Sequence, residues 1–165
     1  MTVQTFSFDP ATSDDRAFRD ALGQFATGVT VVTCATADGP LGITANSFAS
    51  VSLDPPLVLW SPAKRSGRYP FYAAAQHFAI HVLGKHQHDI CRGFARSGDY
   101  FDHIDWEAGA HDVPLINGCL SRFECEKVAE HDGGDHAILV ARVHHVTTHP
   151  GEPLMFYAGC YGGFS

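Results

Sequence analysis

One stretch of the chain decides its fold: Gly42-Ile43-Thr44-Ala45-Asn46-Ser47-Phe48-Ala49-Ser50-Val51-Ser52-Leu53-Asp54-Pro55-Pro56-Leu57. It begins and ends with residues that favour a β-strand, whereas its middle carries small polar residues where a core strand would bury Val, Ile or Leu. Positions at which the residues contradict the local preference for a secondary structure concentrate at functional sites. We therefore predict a ligand-binding wall, for which the residues leave one alternative: a Ser- and Thr-rich edge strand that faces water.

The composition describes one folded domain. The chain has 165 residues, of which 45% are hydrophobic, 12% aromatic and 18% charged. A disordered chain would be poorer in apolar residues and richer in charge, and this length is usual for a single domain. We expect residues 1–12 to form an N-terminal arm and residues 13–165 to form the domain.

The charge excludes two classes of partner. The formal net charge is -7 at pH 7, whereas a protein that binds nucleic acid or an anionic membrane needs clustered Lys and Arg. Any phosphate that this protein binds is therefore small and held locally.

The cysteines and the absence of membrane signals predict a cytoplasmic protein. Cys34, Cys91, Cys119, Cys125 and Cys160 are odd in number, scattered and never in a Cys-x-x-Cys pair, which favours reduced thiols over disulfides. The N-terminus shows no basic segment followed by an apolar run, and no apolar stretch reaches membrane-spanning length. We expect a soluble protein in the cytoplasm.

Residues 13–28 have the pattern of an amphipathic helix. Ser13 is a suitable N-cap and Gly28 can end the helix. Between them, apolar residues recur at the i, i+3, i+4 and i+7 spacing of one helix face. These are Phe18, Ala21, Leu22 and Phe25.

The rest of the chain has the pattern of antiparallel strands with a few short helices. Turn signals lie at residues 37–40, at Asp54-Pro55-Pro56 and at Asp132-Gly133-Gly134-Asp135. We predict strands at 29–35, 42–53, 57–60, 78–83, 120–128, 136–146 and 155–161, and helices at 69–75 and 87–95. Roughly six or seven short strands joined by hairpin turns give a mainly β fold and favour a closed barrel.

Residues 61–66 form the best candidate for an anion site. Ser61 and Ser66 supply hydroxyl groups, the segment leads to a predicted helix start that Ser66 can cap, and Lys64, Arg65 and Arg68 add positive charge. The alternative is an ordinary capped helix with solvated basic residues.

The eleven histidines raise the question of a metal site. None of them forms His-Glu-x-x-His or the Cys and His spacing of a zinc finger, so we predict no metal. His136 on its own would be a surface histidine beside a turn. Trp60 and Tyr161 suit either stacking on a ligand ring or packing in the core.

Several ordered motifs lie along nearly the whole chain, from about residue 18 to residue 161. They are residues 24–33, residues 42–57, Phe94-Ala95, Phe101, Gly134-Asp135-His136, Pro153-Leu154 and Tyr161. In this order and spacing they resemble the short-chain flavin reductases, which include the reductase components of two-component flavin-dependent monooxygenases.

The resemblance implies a fold and an activity. The fold would be an FMN-binding split β-barrel, antiparallel and Greek-key-like, assembled as a homodimer. The activity would be that of an NAD(P)H:flavin oxidoreductase, which takes a hydride from NADH or NADPH, reduces FMN or FAD, and supplies reduced flavin by diffusion to a partner monooxygenase. Ala141 and Cys160 stand where the family often has a glycine and a basic residue, so the choice between NADH and NADPH stays open.

The resemblance also assigns residues to the flavin and to the nicotinamide. The wall would lie along the flavin ring and ribityl chain, residues 61–66 would reach the phosphate, a third segment would border the other side of the flavin, and His136 would be the catalytic residue that meets the nicotinamide. The flavin contacts implied are Thr44, Ala45, Asn46, Ser47, Ser50, Val51, Ser61, Ala63, Lys64, Arg65, Ser66, Phe94, Ala95, Arg96 and Tyr161.

Two other functions fit a flavin-binding barrel. A flavin carrier would bind flavin tightly without oxidising a nicotinamide, and an oxidase would keep its flavin and reduce it with its own organic substrate. Hydride transfer between nicotinamide and flavin needs little acid–base chemistry from the protein, which has mainly to hold two rings face to face. The residues themselves therefore do not separate the three functions.

Overall fold

The computed structural model describes residues 5–164, and within that range the chain forms a mainly antiparallel β fold with three short α-helices and twelve strands. The predicted fold class is thus confirmed. The helices are α1 (Asp15–Leu22), α2 (Tyr69–Ala74) and α3 (His88–Arg96). The strands are β1 (Thr27–Gly28), β2 (Thr30–Thr36), β3 (Gly39–Ala45), β4 (Ala49–Leu53), β5 (Pro56–Trp60), β6 (His77–Val82), β7 (Trp106–Ala108), β8 (Pro114–Ile116), β9 (Ser121–Gly133), β10 (His136–Thr148), β11 (Met155–Tyr157) and β12 (Cys160–Gly162).

Seven strands form the main sheet in the order β3-β2-β6-β9-β10-β5-β4. Its two edge strands, β3 and β4, follow each other in the sequence and are joined by residues 46–48 alone. Because the four Cα-to-Cα steps from Ala45 to Ala49 span at most about 14 Å, the sheet must curl until its edges approach each other at that end. Within residues 5–164 no ladder joins β3 to β4, so the curled sheet is open between them, and closure into a barrel stays a prediction.

Two smaller sheets flank the main one. One has the order β1-β11-β12 and the other pairs β7 with β8. The prediction of one last strand over residues 155–161 is wrong, because Ala158 (φ 47) and Gly159 (φ 79) take left-handed conformations that turn the chain back on itself. In place of the one predicted strand, β11 and β12 form a short antiparallel hairpin.

Within residues 5–164 the buried side chains form two main core clusters. Trp60, Tyr72, Phe78 and Leu139 are fully buried in the first, where the Trp60 ring meets the Tyr72 ring edge-on at 5.0 Å between centroids, and Phe94 of α3 lies in the second. Each such side chain contributes about 1.5–3 kcal/mol by leaving water. Of the two roles that suit Trp60, the structure therefore shows core packing.

The first helix differs from the prediction at both ends. Its N-cap is Asp14, whose carboxylate accepts hydrogen bonds from the backbone N–H groups of Arg16 and Ala17, and its C-cap is Gly23. Ser13 loses the capping position because Asp14 offers a charged acceptor to the helix N-terminus. Gly28 instead belongs to β1. The predicted apolar face packs on no core, since α1 has no buried residue.

The predicted strand over residues 42–53 is also wrong in its middle. β3 ends at Ala45, and β4 starts at Ala49. The small polar residues between them form the link that joins the two edges of the sheet. The stop at Asp54-Pro55-Pro56 is confirmed, with a cis bond between Asp54 and Pro55 and β5 beginning at Pro56.

The remaining predictions hold with shifted ends. β9 and β10 are longer than predicted, at 13 residues each, and Gly134 (φ 80) lies in the turn between them. α2 begins after Arg68 without a side-chain cap, so the predicted capping role of Ser66 is wrong.

The segment ahead of α1 is described only in part. Residues 1–4 of the predicted N-terminal arm lie outside the described residues. In the part that is described, the backbone N–H groups of Thr12 and Ser13 donate to the carbonyl oxygen of Asp9 in a turn. No helix within residues 5–164 is both long and apolar enough to cross a lipid bilayer.

Candidate functional site

A cleft of about 330 Å³ opens beside the end of β3. Its lining comes from four places in the fold, chiefly the last residues of β3, the C-terminal end of α3, the segment before α2 and the β11–β12 hairpin. The lining residues are Val29, Ile43, Thr44, Ala45, Asn46, Ser66, Arg68, Ala95, Phe156 and Tyr161.

The two walls are held together by close packing and by one side-chain hydrogen bond. The Thr44 hydroxyl donates to the carbonyl oxygen of Cys91 in α3 at 2.7 Å. Next to it, a Cβ atom at Gly42 would come within 2.5 Å of the Phe94 ring, which is closer than van der Waals contact allows. The glycine of the opening stretch is therefore what lets α3 lie against β3.

Arg68 joins its own segment to β3 and to α3 through its guanidinium group. Its Nη1 donates to the carbonyl oxygens of Gly42 at 3.1 Å and Phe94 at 2.5 Å, and Nη2 donates to that of Ala95 at 3.5 Å. A cation at the last carbonyls of α3 is also favoured by the helix dipole. Arg68 thus fixes the cleft geometry and places a positive charge in its lining.

The cleft lining also contains two aromatic residues, Phe156 and Tyr161. Their rings lie with their centroids 5.1 Å apart. Burial, followed by a hydrogen bond with Cys91, raises the pKa of Tyr161 to about 12. Tyr161 therefore presents a neutral hydroxyl group at neutral pH.

The predicted anion loop reaches the cleft only at its end. Ser66 lines the cleft, whereas Ser61 is bound to Ser47, whose hydroxyl accepts from the Ser61 backbone N–H at 2.9 Å and donates to the Ser61 carbonyl at 3.2 Å. Lys64 binds the β9–β10 turn by donating to the Gly134 carbonyl at 2.8 Å and by pairing with Asp132. Because α2 has six residues and no side-chain cap, the loop supplies hydroxyl and guanidinium groups rather than a helix terminus.

His136 lies beyond this loop and outside the cleft lining. It pairs with Ala63 across an isolated β-bridge, and its Nδ1 lies 2.6 Å from an Asp135 carboxylate oxygen. The hydrogen bond with His136 is the largest cause that lowers the pKa of Asp135. The imidazole, 44% exposed, thus has one nitrogen fixed by a carboxylate and the ring open to solvent.

The structure brings together six of the predicted site residues and leaves the others elsewhere. Ser50 and Val51 are exposed on the edge strand β4, and Arg65 and Arg96 are also exposed. Phe94 is on the buried face of α3 and packs in the core. The six in the cleft are Thr44, Ala45, Asn46, Ser66, Ala95 and Tyr161.

Four lining residues were not among the predicted contacts: Val29, Ile43, Arg68 and Phe156. The sequence predicts Arg68 only as added charge for the anion site, and Ile43 is one residue before the predicted contacts. For these two residues, their position next to predicted site residues is the sequence signal that could have found them. Val29 and Phe156 carry no such signal, since they look like any apolar strand residue.

The histidines divide into buried and exposed groups. His81 is fully buried, with Nδ1 3.0 Å from the Val31 carbonyl oxygen and Nε2 accepting from the Ile116 N–H at 3.0 Å. Burial lowers its pKa to about 4, so it is a neutral core residue. His77 and His111 stack at 3.7 Å beside a second cavity of about 410 Å³. Across residues 5–164, the His, Cys, Asp and Glu side chains form no group of three or more suited to a metal ion.

Comparison with known proteins assigns the chain to a family. A family model described as a flavin reductase like domain matches residues 22–165. The chain is 54% identical over 158 residues to an FMN reductase (NADH) of Agrobacterium fabrum, covering 96% of this chain and 91% of that protein. It is 40% identical over 154 residues to the reductase subunit of a flavin-dependent monooxygenase of Mycobacterium tuberculosis, covering 91% of this chain and 82% of that subunit.

A solved structure agrees with these sequence matches. The NADH:FAD oxidoreductase of Streptomyces globisporus, in complex with NAD and FAD fragments, superposes with a TM-score of 0.89 at 39% identity and covers 98% of each chain. The family match spans nearly the whole described chain and includes every residue that lines the cleft. The chain belongs to the family of proteins with a flavin reductase like domain.

Proposed function

We propose that this protein is an NAD(P)H-dependent flavin reductase that binds FMN or FAD in the cleft between β3 and α3 and transfers a hydride to it from NADH or NADPH. The observation that carries the proposal is that one cleft is lined both by two aromatic residues, Phe156 and Tyr161, and by a cation, Arg68. A flavin combines an aromatic ring system with a phosphate in the same way. The relatives named as NADH-dependent flavin reductases support the same reaction.

The residues in the cleft fit a flavin. A volume of about 330 Å³ lies at the lower end of the range for small-molecule sites. The hydrogen bonds of the Arg68 guanidinium all go to backbone carbonyl oxygens, and its charge is only the smallest of the causes that lower the pKa of the nearby Asp99 carboxyl. A flavin phosphate near Ser66 and Arg68 would receive both a hydroxyl donor and a cation.

Within this proposal, two lining residues would contact the flavin ring. Asn46 would supply a donor and an acceptor for its polar edge, and Tyr161 would pack against it with its neutral hydroxyl. A flavin held there would supply the redox chemistry as the hydride acceptor. His136 lies one loop away, where an open imidazole fixed by Asp135 can meet the nicotinamide.

The activity is tested with purified protein and a matrix of NADH and NADPH against FMN and FAD. We expect loss of the nicotinamide absorbance at 340 nm with at least one of the four combinations. If the protein stays yellow but oxidises neither nicotinamide, it is a flavin carrier. If flavin is reduced only by an organic substrate in a single turnover, it is an oxidase. Either result contradicts the proposal.

A separate monooxygenase component is the proposed recipient of the reduced flavin. The support is that several relatives are named as reductase components or subunits of flavin-dependent monooxygenases. A coupled assay tests it: reduced flavin made by this protein should support product formation by a flavin-dependent oxygenase held behind a dialysis membrane. A requirement for direct contact would contradict diffusion of the flavin.

A homodimer is the proposed assembly. The exposed surface is 9831 Å², against about 8,000 Å² for a compact monomer of this mass, and part of the excess belongs to the extended segment ahead of α1. Leu53 on the edge strand β4 is 96% exposed, and Phe18 and Leu22 on α1 are also exposed. A two-fold dimer would cover such apolar surface. The five free cysteines support a reducing location, for which we propose the cytoplasm.

A further inference from the structure

The middle of the segment at residues 61–66 is joined to the β9–β10 turn. The backbone N–H of Lys64 donates to the Asp135 carbonyl at 2.9 Å, and the N–H of Ala137 donates to the Pro62 carbonyl at 3.0 Å. Ala63 and His136 form the β-bridge between these two contacts. The His136 backbone is therefore held from two sides, by this segment and by Gly133 across the hairpin.

Lys64 adds the side-chain part of the connection. Its ammonium group donates to the Gly134 carbonyl at 2.8 Å and pairs with the Asp132 carboxylate. The hydrogen bond and the charge of Lys64 lower the pKa of Asp132. The two contacts lie on the chain just before His136, so one cation holds the turn in its observed shape.

The turn concentrates negative charge, of which Lys64 neutralises the part nearest to it. Glu130, Asp132 and Asp135 lie within six residues of one another, and Glu130 has its own partners in Lys127 and the Tyr69 hydroxyl. Arg65 contributes only at a distance, as a minor cause of the lowered pKa of Asp135. Without the Lys64 ammonium group, Asp132 loses its cation, and its repulsion with Asp135 favours other shapes of the turn.

The same segment is fixed to the cleft at both ends. Ser61 is bound to Ser47, next to the cleft residue Asn46. At the other end, the Ser66 N–H donates to the Ala63 carbonyl at 3.0 Å, and Ser66 lines the cleft. A displacement of the turn that carries His136 is thus a displacement relative to the flavin.

We infer that Lys64 is a positioning residue that holds His136 at a fixed place relative to the flavin cleft, and that it acts on the nicotinamide rather than on the flavin phosphate. The inference rests on the proposed function, since it takes His136 as the nicotinamide contact. It revises the role that the resemblance gives to Lys64. The side chain that would neutralise a phosphate is instead occupied by the turn.

The test compares Lys64→Met with His136→Ala and with the double variant in steady-state assays. Lys64→Met should raise the KM for the nicotinamide by about tenfold, because small displacements of a contact group have large kinetic effects, and should change the KM for flavin by less than about twofold. The double variant should be no worse than His136→Ala alone, since a residue that acts only through His136 has nothing left to position.

Three further variants serve as rescue, second probe and control. Lys64→Arg keeps the cation and should restore most of the nicotinamide KM. Asp132→Asn removes the ion pair from the other side and should raise the nicotinamide KM less than Lys64→Met does, which keeps the test open if Lys64→Met fails to fold. Lys85→Met removes a comparable exposed ion pair, with Glu152 at 3.2 Å, and should leave both KM values unchanged.

Several outcomes would overturn the inference. A rise in the flavin KM alone would make Lys64 a phosphate contact, and independent, multiplying effects in the double variant would show that Lys64 does not act through His136. If His136→Ala itself leaves the nicotinamide KM unchanged, the positioning role is also wrong. An inactive wild-type protein would instead contradict the proposed function, so the two failures are distinguishable.

Discussion

Two halves of the stretch at residues 42–57 have the same kind of composition but different surroundings. The first half contains the end of β3 and the residue after it, and it carries Thr44 and Asn46, which line the cleft. The half that forms β4 carries Ser50 and Val51, which are exposed. Among the strands of residues 5–164, β4 pairs with β5 alone, and its last residue, Leu53, is 96% exposed.

The difference between the halves comes from what lies opposite each of them. β3 packs against α3, to which it is joined by the Thr44 hydroxyl and by Arg68, so its polar groups border a cleft. β4 is an edge strand of the main sheet. Small polar residues on a strand therefore form a candidate site where a second element packs beside them, whereas those on the edge strand stay open to solvent.

Arg68→Ala should have the largest effect on the β3 half. It removes charge-assisted hydrogen bonds worth about 1.5–3 kcal/mol each and takes the cation from the cleft lining. We expect the Kd for FMN to rise by about 10- to 100-fold, measured by quenching of flavin fluorescence. Arg92→Ala on the exposed side of α3 is the matched control and should leave the Kd unchanged. A Kd within twofold of the wild type for Arg68→Ala would remove Arg68 from the site.

The second prediction sets the two halves against each other directly. Asn46→Ala removes one donor and one acceptor from the cleft and should raise the Kd for FMN by about fivefold, the effect of about 1 kcal/mol. Ser50→Ala changes an exposed residue of β4 and should raise it by less than about twofold. The same flavin titration checks both variants. Equal effects would mean that both halves contact the flavin.

The third prediction concerns the edge strand alone. Leu53→Lys places a charge on the free edge of β4, a change that blocks edge-to-edge association. Because Leu53 is already exposed, the variant should fold normally and shift the species seen by sedimentation velocity from dimer toward monomer. A dimer of unchanged stability would place the interface elsewhere.

The smallest expected effect concerns Tyr161, whose ionisation should leave the Kd for a flavin unchanged as the pH rises. Burial raises the pKa of Tyr161 to about 12, so its hydroxyl keeps its proton throughout the neutral and mildly alkaline range. The Kd for riboflavin, which has no phosphate, should therefore not change through loss of a proton from Tyr161 between pH 7 and about pH 9. A Tyr161→Phe variant is the control, and a rise in Kd that this variant abolishes would contradict the neutral hydroxyl.

Much of the fold could be predicted from the sequence, because strand patterns and turn residues act locally along the chain. The turns at Asp54-Pro55-Pro56 and at Gly134 follow from the conformations that proline and glycine allow. The apolar face of α1 could not be placed, since helix period shows which residues share a face but not whether the chain supplies something for it to pack on.

The candidate site was predictable only where its residues are neighbours in the sequence. Thr44, Ala45 and Asn46 were found together, whereas Val29 and Phe156 reach the cleft through the fold. Lys64 shows the reverse difficulty. A lysine beside a serine-rich loop suggests a phosphate site, but its partner Asp132 lies 68 residues away along the chain, and only the structure brings the two together.

Hydrogen–deuterium exchange with and without saturating FMN tests most directly the claim that flavin binds between β3 and α3. We expect FMN to slow exchange in peptides that cover residues 42–46 and 155–162 and to leave residues 49–53 unchanged. Protection confined to residues 49–53, or none at residues 42–46, would contradict the account.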